Sequence, residues 1–247
     1  DRSVSRGLGD VYKRQVFQRY EFKYLLTRGQ QARLLSAAGA RLRPDEYSHS
    51  SIRNLYLDTP DFRLIRRSLE KPVYKEKLRL RAYGTPTDSS PVFLEIKKKY
   101  DGVVYKRRVS TDFAQAMRFL TEGIPPESGD YVARQVTAEM THMIRRDGLI
   151  PRAAVFYDRR AFHGADDPEL RLTLDGNIRY RLGDLDLRNG TDGDTIPGQP
   201  FRIMEIKSAS SIPLRLAGTL SELGIHPGSF SKYGSVYKQR FQDLCAT

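Results

Sequence analysis

Basic residues recur at every second position in several short runs of this chain, with aliphatic residues between them. Side chains alternate faces along a β-strand, so a period of two puts each set on its own face. In YKEKLRLRAYG, Lys75, Lys77, Arg79 and Arg81 share one face, and Leu78, Leu80 and Ala82 the other. FLEIKKKY sets Glu95, Lys97 and Lys99 against Leu94 and Ile96, and VVYKRRV puts Lys106 and Arg108 together. LRLTLDG opposes Arg171, Thr173 and Asp175 to Leu170, Leu172 and Leu174. FRIMEIK opposes Glu205 and Lys207 to Met204 and Ile206, and EFKYLL carries Glu21 and Lys23 on one side. An antiparallel sheet with one wet face would carry mixed polar residues there. Here the polar face is repeatedly Lys or Arg with single glutamates. Helical segments are available to cover the aliphatic face. The arrangement that uses both is a barrel whose basic face points inward around a wet tunnel. So many like charges in one cavity repel by something on the order of several kcal/mol unless an anion compensates them. Arg forks and Lys point charges suit phosphate oxygens, so a polyphosphorylated anion is the expected ligand.

The overall charge agrees. Lys and Arg number 42 against 30 Asp and Glu, a net charge of +12 over 247 residues, which favours anionic partners. Hydrophobic residues make up 39% of the chain, enough for a core. The single cysteine, Cys245, excludes an internal disulfide framework and a Cys-cluster zinc site. No apolar run approaches the roughly 20 residues of a membrane helix, and a cytoplasmic location is expected. The basic residues alternate with aliphatics rather than forming an aromatic stacking platform, so nucleic acid is not expected as a partner.

Residues 1–15 show neither strand alternation nor a helical stripe and are expected to lie outside the fold, as a leader or a basic arm. Residues 16–247 read as one domain. Strands are expected at 16–26, 51–58, 73–84, 91–99, 103–110, 152–162, 169–175, 177–182 and 201–208. Asp101-Gly102 and Asp175-Gly176 read as two-residue hairpins. Helices are expected at 27–41, opened by a Thr27–Gln30 capping box, and at 59–70, opened by Thr59-Pro60. Further helices are expected at 112–121, 129–147, 213–223 and 231–244. The fold class is therefore α+β: a closed, mainly antiparallel eight-stranded β-barrel with a basic interior, flanked by helices.

Nine segments then carry a family resemblance in order: YEFKY (20–24), LYLDT (55–59), LRLRAYG (78–84), FLEIKKK (93–99), YKRRV (105–109), YDRRAF (157–162), LRLTLD (170–175), MEIK (204–207) and FSKYG (230–234). The chain resembles the polyphosphate polymerase domain of the vacuolar transporter chaperone (VTC) family, one of the triphosphate tunnel metalloenzymes, over about 19–237. That resemblance implies phosphate binding in the tunnel by Lys23, Arg79, Arg81, Lys97, Lys106, Arg159 and Arg171, with Arg79, Arg81, Lys97, Arg159 and Arg171 closest to the chemistry. Arg108, Lys207, Ser231 and Lys232 are further implied substrate contacts, the last two at the start of the final helix. Glu205 is the implied ligand of a divalent cation, Mn²⁺ or Mg²⁺, and Glu21 an auxiliary one. The implied reaction moves the γ-phosphoryl of ATP to the end of a polyphosphate chain and releases ADP. A membrane-protein partner in another chain is implied as well.

The chemistry of that reaction fits these residue types. The nucleophile is an already anionic phosphate, so no Ser, Cys or His nucleophile is needed; alignment and charge stabilisation suffice. Related CYTH triphosphatases carry an ExExK signature, where this chain reads Arg19, Glu21 and Lys23. The missing first glutamate weakens a hydrolase reading. Ser229 stands where the eukaryotic polymerase domains have a further lysine. The alternatives are a triphosphatase using the same tunnel, and a non-catalytic polyphosphate-binding module. His49, His142, His163 and His226 lack metal-ligand spacing. Asp175 is expected to start its turn, Lys98 and Lys99 to be a solvated hairpin end, and Arg66-Arg67 and Arg145-Arg146 to be exposed helix faces.

Overall fold

In a computed structural model the described residues are 20–196, 201–209 and 211–245. The expected leader 1–15 and the first part of the strand at 16–19 lie outside them. One antiparallel sheet organises the chain, in the order β1 (Tyr20–Thr27), β9 (Phe201–Ser208), β7 (Arg171–Arg181), β6 (Ile150–Gly164), β2 (Leu42–Asp58), β3 (Tyr74–Tyr83), β4 (Pro91–Tyr100) and β5 (Val103–Asp112). The two-residue β8 (Asp194–Thr195) adds to β7, making nine strands.

Local chemistry explains the elements that the sequence announces. Thr27 Oγ1 accepts from the Gln30 backbone N–H at 3.1 Å, and the Gln30 side chain accepts from the Thr27 N–H at 2.9 Å. This capping box opens α1 (Arg28–Ala38). Asp101 and Gly102 both take positive φ, 41° and 82°, as a tight β4–β5 turn requires. Asp112 and Asp130 cap α3 (Phe113–Glu122) and α4 (Tyr131–Asp147). The helix expected from Thr59-Pro60 starts later, as α2 (Arg63–Leu69). Thr59 still caps it, its Oγ1 accepting from the Arg63 N–H at 2.8 Å, and the buried Asp58 carboxylate accepts from the backbone N–H groups of Leu64 and Ile65 at 2.8 and 3.0 Å.

The aliphatic face packs under helices as expected. Leu78, Leu80, Leu94 and Ile96 meet Phe113, Phe119, Met140 and Met143 of α3 and α4. Leu172, Leu174, Met204 and Ile206 meet Leu34 of α1 and Leu220 of α5 (Leu214–Glu222). The inner face is not uniformly basic. At one end Ile52, Tyr56, Val155 and Ile203 hold Ile65 of α2 and Tyr233 and Val236 of α6 (Lys232–Cys245), and Tyr56 stacks on Tyr233 at 4.6 Å. Helix α6 therefore floors that end of the inner face.

Two expectations are corrected. The barrel does not close: among the described strands β1 and β5 are the two ends of the sheet, with no pairing between them. β5, which carries the Lys106-Arg107-Arg108 run, is an exposed, cationic edge. The sheet nevertheless curls far enough that Lys97 of β4 acts electrostatically on Glu21 of β1. Second, Asp175-Gly176 is no hairpin. β7 runs unbroken from Arg171 to Arg181, and the register shift between Phe156 and Asp158 of β6 absorbs the irregularity. Among the described residues no helix is long and apolar enough to cross a membrane.

Candidate active site on the inner face

Cross-strand register assembles the site. Arg79 faces Glu95, Glu95 faces Arg108, Lys77 faces Lys97, and Lys97 faces Lys106, which brings β3, β4 and β5 together. Lys23 faces Glu205, and Glu205 faces Thr173 of β7. A buried carboxylate centres each of two clusters. Glu95 takes the Arg79 guanidinium at 2.7 Å and the Lys106 ammonium at 2.6 Å, with Arg81 at 3.8 Å. Asp175, fully buried, is gripped by both arms of Arg159 at 2.6 and 2.8 Å and by Lys232 at 2.6 Å. The third cluster is Glu21–Lys23–Glu205, in which one ammonium lies 3.3 Å from Glu21 and 3.6 Å from Glu205.

Neutral groups aim these charges. Arg81 donates to the Asn54 side-chain oxygen at 3.1 Å and to the Tyr157 hydroxyl at 3.2 Å. Arg79 donates to the Tyr56 hydroxyl at 3.1 Å. Lys232 lies over the Tyr157 ring, 4.4 Å from its centroid, and Arg159 lies over the same ring. Lys77 donates to Ser231 Oγ at 3.1 Å.

The electrostatics follow from crowding. Burial opposes ionisation of Glu205, but Lys232, Lys23, Arg159 and Lys207 outweigh it and hold the carboxyl down to about 2. Glu95 is held to about 2 against burial by Arg79, Arg81 and Lys106. Burial pushes the Lys77 ammonium down to about 8, and it lowers Lys97 and Lys106 as well. All four carboxylates are therefore ionised at neutral pH, and the bases on this face still outnumber them. The surplus is the electrostatic condition for holding a multiply charged anion.

Most of the expected site residues converge here. Lys23, Arg79, Arg81, Lys97, Lys106, Arg159, Ser231, Lys232, Glu205 and Glu21 belong to this one face, and Lys207 adds its charge to Glu205 and Glu21. Arg108 faces the same way and lies over the Phe93 ring at 4.6 Å. Arg171 does not join the cluster: its guanidinium is more than half exposed and pairs with Asp45 of β2. Two readings of the remaining charges change. Asp175 is a buried ion-pair acceptor rather than a turn residue. Lys98 pairs with Glu139 of α4 at 2.6 Å, so it is not a free hairpin end. Arg145 and Arg146 stay on an exposed helix face as expected, and from there Arg146 pairs with the buried Glu76 of β3. Arg66 stays on an exposed face, paired with Asp61. The roles of Asn54, Tyr56 and Tyr157 left no mark in the charge pattern. Only register reveals them, as in the pairing of Asn54 with Arg81.

The donor chemistry of the third cluster suits a hard divalent cation. Glu21 and Glu205 converge on a single positive charge, and a magnesium-like ion is held by one or two carboxylates, its other ligands being phosphate and water oxygens. Among the described residues no group of three or more His, Cys, Asp or Glu is placed to hold a metal ion, so no all-protein cage is present.

Comparisons with known proteins agree with this architecture. Subunit 4 of the vacuolar transporter chaperone complex of Schizosaccharomyces pombe is 23% identical over 195 residues, an alignment covering 64% of this chain and 26% of the yeast protein. The chain thus spans about a quarter of the length of that relative. Among solved structures, a Bacillus halodurans protein provisionally assigned as an adenylate cyclase superposes with a TM-score of 0.54 at 16% identity, covering 85% of this chain and 92% of that one. At that identity the likeness is one of fold alone. The family model described as VTC domain matches residues 18–241. With the sheet, its basic inner face and that match taken together, the chain belongs to the VTC domain family.

Proposed function

We propose that this protein is a polyphosphate polymerase, which transfers the γ-phosphoryl group of ATP to the terminal phosphate of a polyphosphate chain and releases ADP. The observation that carries the reading is the inner face itself: guanidinium and ammonium groups clustered around Glu95, Asp175 and Glu205, with α6 as floor. A terminal phosphate oxygen of the chain attacks the γ-phosphorus, and the bond to the β,γ-bridging oxygen breaks with its electron pair leaving on ADP. Negative charge spreads over the transferring oxygens, where fixed cations stabilise it without reorganising. Arg79 and Arg81 are held in place by Glu95, Tyr56, Asn54 and Tyr157, so their forks are oriented before substrate arrives. Arg159 and Lys232 are likewise fixed by Asp175 and can turn their remaining N–H groups to phosphate. Lys23, Lys97, Lys106, Arg108 and Lys207 extend the anionic track, and Arg171 would join it by leaving Asp45.

Glu205 and Glu21 would hold Mn²⁺ or Mg²⁺, which supplies Lewis-acid polarisation of the phosphate oxygens it binds. Further parts of the proposal are a cytoplasmic location and a membrane-protein partner supplied by another chain, with ATP and polyphosphate as small-molecule partners.

The test is incubation of the protein with ATP and Mn²⁺, with and without tripolyphosphate, resolving products by length beside Glu205→Gln. Long polymer with stoichiometric ADP, lost in the variant, is the expected result. Free phosphate without polymer would make the protein a triphosphatase. Tight polyphosphate binding with no turnover would make it a binding module.

A further inference from the structure

A polymerase whose nucleophile is the end of a chain needs an acceptor for its first cycle. Among the described residues, the inner face holds one hydroxyl hydrogen-bonded to a lysine. Ser231, immediately before α6, accepts a hydrogen bond from Lys77 Nζ at 3.1 Å. The two are 154 residues apart in sequence, on α6's leading edge and on β3, and the fold alone joins them.

We propose that Ser231 is phosphorylated by the protein itself and starts polymer synthesis when no primer is present. Lys77 accepts the hydroxyl proton, and Ser231 Oγ forms a bond to the γ-phosphorus of ATP. The bond to the β,γ-bridging oxygen breaks and its electron pair leaves on ADP. The resulting phosphoserine presents anionic oxygens, and the next γ-phosphoryl is added to one of them. The first chain made without primer therefore remains attached to the protein through Ser231. This inference rests on the polymerase reading above.

Three observations support the assignment. A serine hydroxyl is a weak nucleophile until a neighbouring base takes its proton. Lys77 suits that role because, among the described residues, it makes no ion pair, whereas Lys23, Lys106 and Lys232 each hold a carboxylate. Burial lowers its ammonium to about 8; Tyr56 of β2, Lys75 of β3, Lys97 of β4 and Lys23 of β1 are the groups that act on it. Roughly a tenth of the side chain is then neutral at pH 7, far more than for an ordinary lysine. The product also has a ready-made seat. The backbone N–H of Gly234 points at Ser231 Oγ from 3.1 Å, and Lys77 and Lys97 face each other beside it. Phosphoserine gains from both a helix N-terminus and adjacent cations. A purely structural Ser231 would cap α6 through the same Gly234 contact and would never carry phosphate.

The experiment incubates the full chain with γ-labelled ATP and Mn²⁺, with and without tripolyphosphate. Half of each sample is denatured and digested for mass spectrometry, and half is run for polymer length. Without primer, the peptide bearing Ser231 should carry one or more HPO₃ additions, and labelled polymer should migrate with denatured protein. Ser231→Ala should carry no label there, Ser231→Thr should retain it, and Lys77→Met should slow labelling at least tenfold. A cooperative melting transition without ligand checks that each variant is folded. Absence of phosphate on Ser231 of the wild-type protein overturns the inference, whether or not polymer forms. The primed arm judges the polymerase reading independently: polymer there with an unmodified Ser231 leaves that reading standing, and no polymer there refutes it.

Discussion

Asp175→Asn isolates the electrostatics of the inner face from its shape. The substitution keeps the volume of a fully buried side chain but removes the charge that Arg159 grips with two bonds and Lys232 with a third. Both cations are themselves largely buried, 18% and 11% exposed, so water does little to screen them. Losing one partner of a buried ion pair costs about 3–5 kcal/mol. Glu205 acts on both cations and compensates in part, which places the expected loss near the lower limit, at about 3 kcal/mol. For a chain of this size that lowers the melting temperature by roughly 6–12 °C. It lowers the urea midpoint by roughly 1 M if the denaturant slope is about 3 kcal/mol/M. The assay is urea unfolding of the two proteins side by side, without ligand and then with tripolyphosphate. The anion should narrow the difference, because it neutralises the cations that Asp175 has released. A variant within about 0.5 kcal/mol of wild type would refute the reasoning, since buried cations that have lost their nearest carboxylate cannot be that cheap.

Two further predictions concern the same charges. Glu95 and Glu205 have folded values near 2 against an ordinary 4.5, so their contribution is present above 4.5 and is lost as pH falls towards 2. Stability should be flat from pH 7 to 5 and then fall by about 3 kcal/mol for each group, and Glu95→Gln should remove its share of that slope in acid titrations followed by denaturant unfolding. Lys77 shows the opposite sign: its folded value lies below its ordinary one, so at neutral pH its charge destabilises the ligand-free fold. Lys77→Met should therefore raise stability by about 1–3 kcal/mol without ligand while weakening tripolyphosphate binding in calorimetry; lower stability without ligand would contradict this.

What could be read from the sequence is what period and local chemistry encode. Alternation separated the face of Lys77, Arg79 and Arg81 from that of Leu78 and Leu80 before any contact was known, because a strand offers only two directions for a side chain. The Thr27–Gln30 capping box and the Asp101-Gly102 turn were equally legible, since every bond they need lies within a few residues. The basic surplus on one face pointed to a multiply charged anion by Coulomb's law, and the Arg and Lys donors to phosphate oxygens.

Tertiary structure decided the rest, because it depends on partners far apart in the chain. Asp175-Gly176 has the composition of a hairpin, yet Arg159 and Lys232 convert Asp175 into a buried anchor, and β7 passes through unbroken. Arg171 shares the alternation of the inner face but is held by Asp45, across 126 residues of sequence. Asn54, Tyr56 and Tyr157 became part of the site only through their register with charged strands. Closure of the sheet was settled at its edges, where a period-two pattern says nothing about whether two end strands can pair. Among the described strands β1 and β5 stay unpaired with each other, and α6 packs against one end of the inner face. Alternation assigns a side chain to a face; which neighbours it meets there is a property of register, curvature and the helix that packs beneath.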